Sequence, residues 1–260
     1  VKPNSPVTEG VPLASIIPRK LTDDPELVMA HRPKDAVSER YRRLRSKLEI
    51  SREETGSAAK VVLVTSSVPD EGKTTTALNL ALAFAEERQR STLLVDLDLR
   101  RPSVGRYLTP PPSLGLSEML GENVALDHVI IPVKSSRLHV LPAGRPASNP
   151  TELLRSAALG SAIEELRRRF DWIVVDTPPC VPFSDATVLQ PLVDGTLLVV
   201  RAGVTAKATV ERALESLEAG PLLGVVLNDV VATPVDRYYY RYDDYDPYRY
   251  SDDASRGTTK

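Results

Sequence analysis

From Lys60 onward, short runs of Val, Leu and Ile alternate with longer segments whose apolar residues recur every three or four positions. The short runs predict strands at Val61 to Thr65, Thr92 to Leu97, Leu138 to Leu141, Trp172 to Asp176, Thr196 to Arg201 and Leu222 to Leu227. They show almost no polar alternation, which is the pattern of strands buried on both faces of a parallel sheet. The longer segments predict helices at Lys73 to Glu87, Leu116 to Leu120, Pro150 to Phe170, Asp185 to Leu192 and Ala206 to Ala219. Strand–helix alternation of this kind predicts an α/β fold, a doubly wound and mostly parallel sheet that binds its ligand at the carboxyl ends of the strands.

Before Lys60 the pattern is different. Residues 1 to about 35 mix six prolines with short apolar stretches, which predicts an irregular lead-in with at most one short strand. From Asp35 to Ser51, Val37, Tyr41, Leu44 and Leu48 fall at helical spacing, with Ser38 a candidate cap. Glu39, Arg42 and Arg45 lie on successive turns of that helix. Taken alone they read as a solvated charged face. Three regions follow: 1–57 as lead-in and helix, 58–235 as the main domain, and 236–260 as a polar tail in which the periodicity stops.

Composition narrows the function. Of 260 residues, 42% are hydrophobic and 26% charged, and 33 basic against 35 acidic residues leave a net charge of −2. That balance gives no electrostatic drive toward nucleic acid. One cysteine, Cys180, excludes a disulfide framework and any multi-cysteine metal site, and the three histidines show no ligand spacing. No apolar run reaches the roughly 18 residues needed to span a bilayer. The chain is therefore expected to be cytoplasmic. The unusual feature is tyrosine: seven of the nine lie in the tail, at Tyr238, Tyr239, Tyr240, Tyr242, Tyr245, Tyr248 and Tyr250.

Between a strand and a helix, Ser67-Val68-Pro69-Asp70-Glu71-Gly72-Lys73-Thr74 has the spacing of a phosphate-binding loop, with Ser67 at the usual first glycine. In such a loop the backbone N–H groups cradle phosphate oxygens and Gly72 permits their close approach. Lys73 bridges the β- and γ-phosphates, and the Thr74 hydroxyl ligates Mg²⁺. Asp96 and Asp98 end one predicted strand on the same face, and Asp176 ends another. Aspartates at strand tips beside such a loop are a common means of holding the metal. A tail of phenols interrupted by aspartates and Pro247 suits neither a core nor a strand. It reads as a substrate, because a carboxylate such as Asp96 can take the phenolic proton during attack on a phosphate.

These residues together resemble the cytoplasmic kinase domain of the bacterial tyrosine autokinases of capsule and exopolysaccharide assembly. The resemblance rests on the loop from Ser66 to Thr75, on Val95-Asp96-Leu97-Asp98-Leu99-Arg100-Arg101-Pro102, on Val174-Val175-Asp176-Thr177-Pro178-Pro179, and on Asn149-Pro150-Thr151-Glu152-Leu153-Leu154. It implies a P-loop NTPase of the deviant-Walker type shared with MinD and ParA, with ATP and Mg²⁺ as cofactors. It implies nucleotide contacts from Ser67, Asp70, Glu71, Gly72, Lys73, Thr74, Thr75, Arg201 and Asn228. It further implies metal contacts from Thr74, Asp98 and Asp176, with Asp96 activating the acceptor hydroxyl. At the end of a strand, Asn228 alone reads more readily as a turn residue.

The same resemblance makes Glu39, Arg42 and Arg45 a subunit interface of a homo-oligomeric ring, and the tail tyrosines the autophosphorylation sites. It implies a transmembrane activator region, in the same longer chain or a separate polypeptide, and a cognate phosphotyrosine phosphatase. With Val1 as its first residue, the chain is expected to be a fragment of, or partner to, a membrane protein, working at the inner face of the cell membrane. Two other readings compete. A ParA/MinD-like spatial organiser would carry a signature lysine where Val68 stands, and an inert nucleotide-binding adaptor would not need Lys73, Thr74 and the aspartates.

Overall fold

The structure is a computed structural model that describes residues 17–55, 61–87 and 89–231. The tyrosine tail lies outside the described residues. The chain divides into two units, 1–228 and 229–260, and only residues 229–231 of the second are described.

The apolar runs form strands as expected: β2 (Val61–Ser66), β3 (Thr92–Asp96), β6 (Leu138–Leu141), β7 (Trp172–Asp176), β8 (Gly195–Arg201) and β9 (Leu222–Asn228). With the short β5 (Ile131–Pro132) they make a seven-stranded sheet in the order β5-β6-β3-β7-β2-β8-β9. Only β5 is antiparallel. Alternate residues feed two cores. Val62, Val64, Leu94 and Val174 pack on one face of the sheet, and Val61, Leu63, Val95 and Val175 on the other. Burial on both faces removes the need for polar alternation, which accounts for the uninterrupted runs.

Helix α3 (Lys73–Ala85) starts directly after the phosphate loop and is buried nearly all round. It is enclosed between the sheet and α2 (Ala36–Thr55). Phe84, near its end, stacks on Trp172 of β7 with ring centroids 4.1 Å apart. The second core packs under α4 (Leu116–Glu122), α5 (Pro150–Leu154), α6 (Ala157–Arg169), α7 (Asp185–Leu189) and α8 (Lys207–Ser216).

Four expectations need correction. The lead-in from residue 17 is more ordered than its prolines imply. Besides β1 (Lys20–Leu21), which pairs with β4 (Leu108–Thr109), it contains α1 (Val28–His31). Leu27 is fully buried there, and Asn79 of α3 holds the segment through the Met29 N–H and the Glu26 carbonyl. Ser38 does not cap α2, because the helix begins at Ala36 and Asp35 accepts the Val37 N–H at 2.8 Å. Val37 is 40% exposed, so the core stripe of α2 runs through Tyr41, Leu44 and Leu48. Finally, Pro150 to Phe170 forms two helices, because the Ser156 hydroxyl caps a new one by accepting the Leu159 N–H.

Candidate active site

The parallel register places the chemistry. Asp96 of β3 and Asp176 of β7 are direct cross-strand partners, and Asp176 is also level with Val64 of β2. The phosphate loop leaves the end of β2, so it emerges beside both aspartates. Gly72 caps α3 with φ +83°, a conformation that glycine adopts without strain. A Cβ there would lie 2.0 Å from Asn228 Nδ2, so a side chain at this position would have to displace that amide.

A pocket of about 360 Å³ opens above the loop, lined by Asp70, Gly72, Lys73, Thr74, Thr75, Asp98 and the segment Arg100 to Ser103, with Arg106, Pro179 and Phe183 on its walls. Lys73 reaches across it to Asp98, 3.4 Å away, and donates to the Thr74 hydroxyl at 3.2 Å. Thr74 in turn donates to Asp176 Oδ2 at 2.7 Å. Its one proton is thereby used, so the Ser103 hydroxyl, 3.0 Å away, is the donor to Thr74.

The three aspartates play different parts. Asp98 lines the pocket and accepts the Arg101 N–H at 2.9 Å. Asp176 is fully buried and its Oδ1 has no hydrogen-bond partner among the described residues. Asp96 is fully buried as well, but both its oxygens are engaged, by the N–H groups of Asp98, Ser103 and Val104, all at 3.0 Å. It fixes the loop that carries Asp98 and Ser103 and does not itself line the pocket.

Burial and the neighbouring Asp176 charge push the Asp96 carboxyl up to about 7, against the partial relief of the three N–H groups. Burial likewise pushes Asp176 up to about 6, although Lys73 and Thr74 favour its ionised form. For Lys73 burial acts downward, but Asp176, Asp98 and Asp96 together outweigh it and hold the ammonium above its ordinary value.

This donor set fits a hard divalent cation. It offers the unpartnered Asp176 Oδ1, the Asp98 carboxylate and the Thr74 hydroxyl, all oxygen. Among the described residues no three His, Cys, Asp or Glu side chains form a cage by themselves. Mg²⁺ is ordinarily held by one or two carboxylates together with phosphate oxygens and water.

The other sequence-derived residues divide. Ser67 is buried in the loop, and Thr75 donates to Glu26 at 2.9 Å. Glu71 turns its carboxylate inward, where it accepts the Val68 N–H at 2.9 Å, the Arg201 N–H at 3.2 Å and the Thr205 hydroxyl. Asn228 Nδ2 donates to the Glu71 carbonyl at 2.9 Å. Glu71 thus braces the loop against the ends of β8 and β9, and Arg201 and Asn228 gather there. Glu39, Arg42 and Arg45 lie away from the pocket. Arg42 forks onto Glu86, at 2.8 and 2.7 Å, and Arg45 donates to the Ala83 carbonyl at 2.8 Å.

Three neighbours were not foreseen. Ser103, Arg100 and Phe183 line the pocket, and Arg100 forks onto the buried Asp185 at 2.6 and 3.0 Å with its guanidinium 4.6 Å from the Phe183 ring centre. The run of arginines after Asp98 was the available signal for Arg100; its partner lies 85 residues away.

A phosphate loop at a strand end, flanked by strand-tip aspartates in a parallel sheet, defines a P-loop nucleotide-binding protein. The model of the ParA family, described as an NUBPL iron-transfer P-loop NTPase, matches residues 57–235. The tyrosine-protein kinase YwqD of Bacillus subtilis is 33% identical over 210 residues, covering 80% of this chain and 87% of YwqD. The succinoglycan biosynthesis transport protein ExoP of Rhizobium meliloti is 35% identical over 218 residues, 81% of this chain but 27% of ExoP. The kinase domain of the Escherichia coli tyrosine kinase ETK superposes with a TM-score of 0.76 at 30% identity, covering 82% of this chain and 83% of that domain. The chain belongs to the bacterial tyrosine-protein kinases: its fold is that of the ParA-like NTPases and its activity is tyrosine phosphorylation. No helix among the described residues is long and apolar enough to cross a membrane.

Proposed function

We propose that the chain transfers the γ-phosphoryl group of ATP to the tyrosines of its own tail, Tyr238 to Tyr250, between copies arranged in a ring, and that this cycle regulates polysaccharide synthesis and export. The observation that carries the reading is the meeting of Lys73, Thr74 and Asp98 in one pocket, with the buried Asp176 bonded to Thr74 behind it, in a chain with seven clustered tyrosines. Residues 58–235 act as the catalytic domain, 1–57 as the assembly region and 236–260 as the substrate.

In the transfer the phenolic oxygen bonds to the γ-phosphorus. The bond to the β–γ bridging oxygen breaks, and its electron pair leaves with ADP. The phenolic proton passes to the carboxylate cluster, in which Asp98 faces the pocket and Asp96, raised to about 7, lies behind it. Lys73 and the loop N–H groups hold the phosphates; Mg²⁺, when bound through Thr74, Asp98 and Asp176, supplies charge neutralisation. Arg201 and Asn228 serve the adenine end.

Glu39, Arg42 and Arg45 form the contact between copies, and each added phosphate, worth roughly −1.5 to −2 charges, loosens the docking of an already acidic tail. A transmembrane activator region and a phosphotyrosine phosphatase complete the cycle at the inner face of the membrane, in keeping with the transport role in the name of ExoP.

The test is anti-phosphotyrosine signal on the purified chain after Mg-ATP. Lys73→Met is expected to abolish it. A Lys73→Met chain mixed with a chain lacking residues 238–250 is expected to regain it by transfer between copies. The second reading is a spatial ATPase of the ParA/MinD type, with which the chain shares its fold. ATP hydrolysis without phosphotyrosine would support that reading instead.

A further inference from the structure

The rim of the catalytic pocket carries three arginines, Arg100, Arg101 and Arg106. They are not equivalent. The guanidinium of Arg100 is consumed by its two bonds to Asp185 and a third, at 2.9 Å, to the Thr151 hydroxyl. Arg106 rests on its neighbour Tyr107, donating to the phenol at 2.8 Å with its guanidinium 4.8 Å from the ring centre, and has no carboxylate within ion-pair distance among the described residues. Arg101 is exposed, and its guanidinium makes no hydrogen bond or ion pair among the described residues. Its backbone, however, is pinned by the N–H bond to Asp98 Oδ1. A cation fixed in register with a pocket acid, with its charge free, is placed to read a group beside whatever enters the pocket.

The phosphates already have Lys73 and the loop N–H groups, so the charge left on the rim calls for an anion on the acceptor. The tail supplies it unevenly. Tyr242 is followed by Asp243, and Tyr245 stands between Asp244 and Asp246. Tyr238, Tyr239 and Tyr240 are bounded by Arg237 and Arg241, and Tyr248 by Pro247 and Arg249. We propose that Arg101 and Arg106 bind the carboxylates adjoining the acceptor tyrosine, so that phosphate goes to Tyr242 and Tyr245 ahead of the other tail tyrosines. This rests on the tail being the substrate. Within that reading it names the preferred acceptor, a tyrosine flanked by aspartate, and the residues that select it.

The experiment follows each tail tyrosine by mass spectrometry in the first turnovers of the full chain with Mg-ATP. The unmodified chain is expected to fill Tyr242 and Tyr245 about tenfold faster than Tyr238 to Tyr240, the product of two exposed ion pairs of ordinary strength. Arg101→Ala with Arg106→Ala is expected to bring that ratio to about one, and the double Lys substitution to keep most of it. Asp243→Asn, Asp244→Asn and Asp246→Asn together should erase the preference, with no further loss when combined with the arginine variant. An unordered time course in the unmodified chain overturns the inference. So does an arginine variant that slows every tyrosine alike and raises KM for ATP, which would make these arginines phosphate ligands. If no tyrosine is modified at all, the substrate reading itself falls and takes this inference with it.

Discussion

Thr74 gives its single hydroxyl proton to Asp176 Oδ2, joining the phosphate loop to the tip of the neighbouring strand. The bond crosses from the start of α3 to the end of β7, and it holds the loop in place beside a carboxylate that burial disfavours.

Replacing that carboxylate separates stability from function. Asp176→Asn keeps the shape and an acceptor for Thr74 while removing one of two like charges buried side by side. The ligand-free chain should be no less stable, measured by urea midpoint, because a like charge beside the Asp96 carboxyl is gone, although burial, the larger cause, still holds that carboxyl up. Kinase activity should fall about 100-fold or more. A marked loss of stability would show that Asp176 is structural first.

Gly72 answers to two constraints at once. Gly72→Ala puts a side chain at φ +83° and a Cβ 2.0 Å from Asn228 Nδ2. The conformation alone costs about 1–2 kcal/mol, and the collision also breaks the Asn228 bond to the loop. Adding Asn228→Ala should recover the collision cost and leave the conformational one. The check is whether denaturation of the double variant is less than additive.

Glu71 is buried with three donors on its carboxylate. Glu71→Ala strands the N–H groups of Val68 and Arg201 and is expected to cost about 2–4 kcal/mol, at about 1–2 kcal/mol for each stranded donor. Nucleotide affinity should fall with it, read by calorimetry, because the brace ties the phosphate loop to the region of Arg201 and Asn228. Unchanged affinity would mean that the brace does not bear on nucleotide binding.

Glu118 supplies the acid limb of stability. Burial pushes its carboxyl up, but the Arg145 side chain and the N–H groups of Gly115 and Arg145 outweigh burial and hold it below the ordinary 4.5. Arg145 also reaches Glu122. A carboxyl depressed in the folded state contributes its full stabilisation above the unfolded value and loses it as pH falls through the folded one. Glu118→Gln should therefore lower the urea midpoint at about pH 7 and flatten its decline below about pH 4.5. A decline of unchanged steepness would assign the acid limb elsewhere.

What the sequence revealed depended on separation along the chain. The strands were legible because each is its own apolar run, and the phosphate loop because its parts are contiguous. The break at Arg155–Ser156 was hidden because apolar spacing continues through it while the cap that restarts the helix is one hydroxyl. The lead-in was misjudged because its prolines are visible and its anchor, Asn79 in α3, is 50 residues beyond Met29. In the site, Asp98, expected on the same strand face as Asp96, lies in the loop two residues beyond the end of β3, whereas Asp96 and Asp176 were identifiable as strand-tip acids. Their division of labour was not, since it turns on backbone N–H groups of a loop whose path no spacing specifies. The inward turn of Glu71 and the grip of Asp185 on Arg100 both need partners more than 80 residues distant.

The fork between Arg42 and Glu86 has a consequence for assembly. A copy that presents its own carboxylates to α2 meets guanidinium groups that already have partners inside the chain. Association then swaps one acid for another, leaving the number of ion pairs nearly constant and the electrostatic gain close to nil. Under the proposed assembly, a contact balanced in this way opens and closes on small changes of charge.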